Sequence, residues 1–161
     1  MVPPLYAVNN MIRRAKEQKT HLTHLKIQKL LYILNARFYY EAYDSLFQER
    51  FEAWQHGPVL TSIYDVFESE DSNAISELRP DANGKIFVVS EKNGFGSAFD
   101  FIWDKYSKKS AAFLVDMTHG KNDPDHETAW KIAYDKFPGA YLSNKDIIND
   151  GKIWFGKERN G

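Results

Sequence analysis

THLKIQKLLYILNARFYYEAY, residues 23–43, decides the fold. Ile27, Leu30, Leu31, Leu34, Phe38 and Ala42 recur every three or four positions, so they share one stripe of an α-helix. Thr23 stands where an N-cap is wanted. Tyr32, Tyr39, Tyr40 and Tyr43 spread around the cylinder, which means that more than one face is covered. The segment is predicted as the central helix of the molecule.

The flanks supply further helices. Leu5, Val8, Met11, Ile12 and Ala15 give a first helix over residues 5–19, with Pro3 and Pro4 just ahead of it, where proline is tolerated. Downstream, FEAWQHGPV (residues 51–59) combines bulky apolar residues with a Gly-Pro step. Pro58 has its φ already set for the first position of a helix, and Val59, Leu60, Ile63, Val66 and Phe67 follow at helical spacing. The step is therefore read as a helix start and the stretch as a joint, with Trp54 folded over the new helix. Residues 69–84 are polar and turn-rich. Phe99, Ile102, Trp103 and Tyr106 predict a helix over 97–108. Ser110 and Gly120 bracket another over 111–118, and Trp130, Ala133, Tyr134 and Phe137 mark one that ends at Pro138-Gly139. Ser143 and Asp146 suit the cap of a last short helix over 144–149.

Extended structure is a minor component. KIFVVSE (85–91) is a β-branched run that suits a strand, with 46–54 and 152–155 as further candidates. The fold class is thus mainly α, a single compact helical domain over 1–161 with a small β element.

Composition narrows the function. The chain has 161 residues, no cysteine and a formal net charge of −1. The missing cysteines exclude disulfides, thiolate catalysis and iron–sulfur clusters. No apolar run approaches the ~20 residues needed to span a bilayer, and the N-terminus lacks a signal-peptide core, so a soluble cytoplasmic protein is expected. Near-zero net charge favours no partner class, although the distribution is uneven. Arg13, Arg14, Lys16, Lys19, Lys26 and Lys29 make the start basic, while Asp65, Glu68, Glu70, Asp71, Glu77 and Asp81 make the middle acidic. A basic first thirty residues is the feature that a nucleic-acid-binding regulator would use.

No phosphate-binding glycine loop, nucleophile elbow or zinc-protease motif is present, so neither a cofactor nor a metal is expected. THGKNDPDHETAW (118–130) gathers His119, Asp123, Asp125, His126 and Glu127, a set able to serve a metal-dependent hydrolase. The same residues suit a loop between helices. Asp125 can cap the following helix, Glu127 favours its positive end, and His119 can bond the last carbonyls of the preceding one.

Three stretches together resemble a known family. LKIQKLLYILNARFYY, FEAWQHGPV and LVDMTHGKNDPDHETAW are similar, in order and spacing, to the motifs of the Panacea domain, the SocA-like antitoxin family of phage-associated proteins. The matching positions are Lys26, Gln28, Lys29, Leu30, Tyr32, Glu52, Ala53, Trp54, Gly57, Pro58, Val59, Thr118, His119 and Trp130. The resemblance implies a small helical, non-enzymatic antitoxin that neutralises a cognate protein toxin by binding it. The SocA branch is also associated with delivering its toxin to a ClpXP-type protease, which would add a second partner. Gln28, Glu52, Thr118 and His119 are expected to form a polar network joining the central helix, the turn and the late loop. Tyr39, Tyr40, Phe95 and Trp154 are the aromatic candidates for partner contact.

Overall fold

The computed structural model describes residues 1–159. Seven α-helices and one hairpin are found among them: α1 (Pro4–Gln18), α2 (His24–Ala42), β1 (Glu52–Trp54), β2 (Gly57–Val59), α3 (Thr61–Phe67), α4 (Gly94–Tyr106), α5 (Ala111–His119), α6 (Ala129–Lys136) and α7 (Asn144–Arg159). The fold is mainly α with a small two-stranded sheet. No helix among the described residues is long and apolar enough to cross a membrane.

The central helix is α2, capped by the Thr23 hydroxyl, which accepts from Lys26 N. Every residue from Lys26 to Ala36 is buried, because α1, α3, α4, α5, α7 and β2 all pack against it. A helix surrounded in this way would normally be apolar all round, yet Lys26, Gln28, Lys29 and Asn35 lie inside. Each has a backbone partner. Lys26 Nζ donates to His21 O (2.9 Å) and to Ser107 O (2.6 Å) at the end of α4. Gln28 binds Leu60 in both directions, Nε2 donating to the carbonyl and Oε1 accepting from the amide. Lys29 Nζ donates to Pro58 O at 2.5 Å. Asn35 Oδ1 accepts from Leu46 N.

The same device replaces the strand expected at 85–91. That segment forms no strand and joins no sheet among the described residues. Its backbone groups are met by two fully buried asparagines of α1. Asn9 Nδ2 donates to Phe87 O and Arg79 O. Asn10 Nδ2 donates to Val89 O, and its Oδ1 accepts from Val89 N at 2.7 Å. An amide side chain presents a donor and an acceptor side by side, as a peptide group does, so it can stand in for a neighbouring strand.

Two other expectations about extended structure are corrected. Within 46–54 only Glu52–Trp54 is a strand, paired antiparallel with Gly57–Val59. Pro58 therefore lies in a strand and does not open a helix. It sits opposite Ala53, whose N–H and carbonyl are turned the other way, to Ala140 O and Gly139 N. Ala53–Pro58 is thus a pair that exchanges no hydrogen bonds, and the missing proline N–H is no loss. The following helix starts later, at Thr61. There Glu49 accepts from Ser62 N and Thr61 Oγ1 and so caps its first turn.

Residues 152–155 are helical, and the last helix runs well beyond 149. Asp150 and Gly151 lie inside that helix and make a contact. A Cβ on Gly151 would stand 2.7 Å from Ala36 O, so the glycine lets α7 cross α2 closely. Asp150 is fully buried and accepts from Tyr32 Oη (2.5 Å), from Ala129 N and, on Oδ1, pairs with His126 Nε2 at 2.8 Å. These contacts join α2, α6 and α7.

Asn10→Ala removes three hydrogen bonds and leaves the Val89 amide and carbonyl without partners. Urea denaturation should show a loss of about 1–3 kcal/mol, and hydrogen exchange at the Val89 amide should accelerate by more than exchange in α2.

Candidate functional site

The three motif-bearing stretches converge where α2, the β1–β2 hairpin and the C-terminal end of α5 meet. Gly57 is the meeting point. Its φ of +112° is one that side chains rarely adopt, and a Cβ there would lie 2.9 Å from Thr118 Oγ1 and 3.0 Å from Lys29 Cε. The hairpin backbone can therefore press onto α2 and α5 only as glycine. Thr118 is fully buried, and its hydroxyl donates to Val115 O one turn back.

Two tryptophans tie the hairpin to the helices. Trp130 Nε1 donates to Trp54 O at 2.7 Å, fastening α6 to β1. The Trp130 ring stacks with His119 (centroids 3.7 Å apart) and with Tyr134 (4.8 Å). Trp54 packs edge-on against Tyr64 at 4.8 Å, and its Nε1 donates to Glu52 Oε1. Beside them a cleft of about 400 Å³ opens between the start of α2, the Gln55–His56 turn and α3, with His24, Gln28, Lys29, Trp54, His56 and Tyr64 among its lining residues.

The cleft lining sets Lys29, His24 and His56 against one described carboxylate, Asp71. Lys29 has no exposed surface, and burial pulls its amine down to about 7. Among the described residues no carboxylate lies within ion-pair distance of it. Burial lowers His24 too, with Lys29 nearby adding to the effect. His119 is pulled down to about 4, first by burial and then by the positive charges of Lys121 and Lys29. Its Nε2 is buried without a hydrogen-bond partner. A neutral imidazole lying flat on an indole is the outcome, since a charged ring would have to be desolvated among cations.

The expected polar network does not form. Gln28 binds Leu60 and His24, Glu52 binds Trp54, Thr118 closes on its own helix, and His119 stacks. Backbone groups, an indole N–H and an aromatic face are their partners instead. His119 likewise makes no bond through Nε2 to the end of α5; Gly120 closes that end with its own amide.

The 119–127 loop divides in a similar way. Thr128, rather than Asp125, caps α6 by accepting from Lys131 N. His126 turns inward to Asp150 while His119 lies against Trp130. Asp125 and Glu127 face solvent. Among the described residues no three His, Asp or Glu side chains gather as a metal-binding set.

The basic run is divided. Arg13 and Arg14 pair with Glu91, and Arg14 also reaches Asp100; Lys26 and Lys29 are buried; Lys16 and Lys19 face solvent. The aromatic candidates need correction as well. Tyr39 is 8% exposed and Phe95 3%; both belong to the core, where α2 and α4 pack. Tyr40 and Trp154 are half-buried against Phe155. Phe137 (61%) and Tyr141 (56%) are the aromatics that stand out beside the hairpin, Tyr141 bridging to Glu52. Of the groups that spacing did not reveal, Asp150 had a legible signal. It falls in helical phase with Ile147 and Trp154, a charge on an apolar stripe.

Residues 27–124, well over half of the chain, match the family described as Antitoxin SocA-like, Panacea domain, and the chain belongs to that family. Lys26 and Trp130 lie just outside the matched stretch. No curated protein and no solved structure matches the chain.

Gly57→Ala forces a side chain into Thr118 and Lys29 at an unfavourable φ, and should cost about 2 kcal/mol or more in urea denaturation. The pH dependence has a defined sign. Between about pH 7, where folded Lys29 titrates, and 10.5, its ordinary value, the unfolded chain holds the proton and the folded chain does not. Stability therefore rises with pH across that window. Urea midpoints of Lys29→Met should lack this part of the rise.

Proposed function

We propose that this protein neutralises a cognate protein toxin by direct, non-covalent binding, with no bond-making step of its own. Membership of the antitoxin family carries the reading. The internal contacts of the motif residues support it. Lys29, Gly57, Pro58, Thr118 and Trp130 hold the hairpin on α2, α5 and α6, and the carboxylates of the 119–127 loop form no metal set among the described residues. A rigid shape is then the working part. Residues 1–161 act as one unit in this reading, because α1 and α7 pack on the same central helix as the matched stretch.

The toxin-facing surface is placed beside the hairpin, where Phe137 and Tyr141 are exposed. Large aromatic rings commonly dominate binding energy, and these two are not needed by the core.

Co-expression with the product of the adjacent reading frame tests the proposal. Growth should stop with the neighbour alone and recover when this chain is added. A neighbour that is harmless, or a toxicity that this chain does not relieve, would sink it. The double substitution Phe137→Ala, Tyr141→Ala should weaken neutralisation while leaving the thermal midpoint within a few degrees of wild type, since exposed positions contribute about 0.5 kcal/mol or less to stability.

A further inference from the structure

The cleft beside Trp54 has a feature that the antitoxin reading does not use. A lysine ammonium has three donors, and Lys29 Nζ gives one to Pro58 O. Two N–H groups remain on a nitrogen with no exposed surface, next to a cavity of about 400 Å³. Buried charges are ordinarily paired, and no described carboxylate pairs with this one. Lys26, one turn away, differs. It has two carbonyl partners, one of them at the negative end of α4. Lys29 lies near the end of α5, at Thr118 and His119, but Pro58 O is its one hydrogen-bond partner among the described residues.

The rest of the cleft narrows the ligand. The Gln28 amide is engaged by Leu60 and His24, so it offers no unused donor to a visitor. Trp54 and Tyr64 form an edge-to-face aromatic wall, with Val59 and Leu25 adding apolar surface. A floor with spare donors and apolar sides fits an acceptor-only anion on an apolar body. One lysine without an arginine fork suits a single negative charge better than a phosphate.

We propose that the cleft between the start of α2, the Gln55–His56 turn and α3 is a binding site for a carboxylate carried on an aromatic or apolar frame, its charge seated on Lys29. The Gln55–His56 turn on the outer side of the cleft is exposed to solvent. The charged form of Lys29 gains a partner on binding, so the amine, held near 7 by burial, takes up a proton as the ligand enters. Other groups facing the cleft are His24 on α2, His56 in the turn, Tyr64 on α3 and Asp71 beyond it, with His119 of α5 acting on Lys29 through space. Substituting Lys29 separates its share from theirs.

The carboxylate can belong to a free organic acid or to an acidic residue of a protein segment. Both sources are tested on the purified full chain alone, so a failed neutralisation assay has no bearing on the result. Sodium benzoate and its neutral counterpart benzamide are titrated at pH 6.5 and pH 9, with tryptophan fluorescence and calorimetry as readouts. Benzoate should bind about tenfold or more tighter than benzamide at the lower pH, the scale of one charged hydrogen bond. It should lose most of that preference at pH 9 and take up protons on binding. Lys29→Met, checked for fold by circular dichroism, should bind the two probes equally. Should that variant not fold, the pH and proton-uptake arms on the wild type decide alone. The capped peptides Ac-Ala-Glu-Phe-NH2 and Ac-Ala-Gln-Phe-NH2 form the second arm. Tighter binding of the Glu peptide than of benzoate assigns the site to a protein segment, and the reverse assigns it to a free acid. Equal binding of each charged probe and its neutral counterpart at pH 6.5, or no binding of any, overturns the proposal.

Discussion

Hydrogen bonds from buried side chains to the backbone of non-helical segments hold this molecule together. A helix satisfies its own amides and carbonyls; an extended segment cannot. Residues 44–60 and 71–93 run across the helices with only two three-residue strands between them. Their backbone groups must find partners or bear the cost of burial without them, about 1–3 kcal/mol each. Asn9 and Asn10 of α1 serve one segment, and Gln28, Lys29 and Asn35 of α2 serve the other. This accounts for polar residues in the middle of the most enclosed helix. They are partners for peptide groups that no strand reaches.

Seen this way, the residues that carry the family likeness are architectural first. Lys29, Gly57, Pro58 and Thr118 form one close contact between helix and hairpin, and Trp54 and Trp130 fasten it from the other elements. The arrangement seats the hairpin closely on α2 and α5. Surface residues around that frame can then differ without disturbing it, because the frame is held by groups that the surface does not use. Lys29 is the exception within the frame. Among the described residues it has one hydrogen-bond acceptor and no carboxylate within ion-pair distance, and the cleft lies next to that imbalance.

A second polar centre works differently. Tyr32, His126 and Asp150 are buried together with the Ala129 amide, and both carboxylate oxygens are occupied. Burial pushes the Asp150 carboxyl up while its hydrogen bonds pull it down. Tyr32 is driven well above its ordinary range by burial and by the neighbouring carboxylate, so it stays a donor. A network with its members satisfied specifies one arrangement of α2, α6 and α7.

Much of the fold was legible locally. The stripe from Ile27 to Ala42, the Thr23 cap, the Ser110 and Gly120 bracket and the Trp130–Phe137 face depend on neighbours within a turn or two, and such spacing is written in the chain. The motif stretches and their family could also be read from residue order. What failed involved long range. KIFVVSE has the composition of a strand, but whether it pairs depends on Asn9 and Asn10, about eighty residues away. The last helix reads as ending at 149 until Gly151 is placed against Ala36, and Pro58 reads as a helix start until Ala53 is placed opposite. The partners of Gln28, Lys29 and His119, and the burial of Tyr39 and Phe95, follow from which backbone groups and surfaces lie nearby once the helices have packed. Helical periodicity and capping are short-range physics and were set by the sequence alone. The satisfaction of a buried donor is decided by tertiary packing, because no local spacing says which carbonyl will arrive beside it.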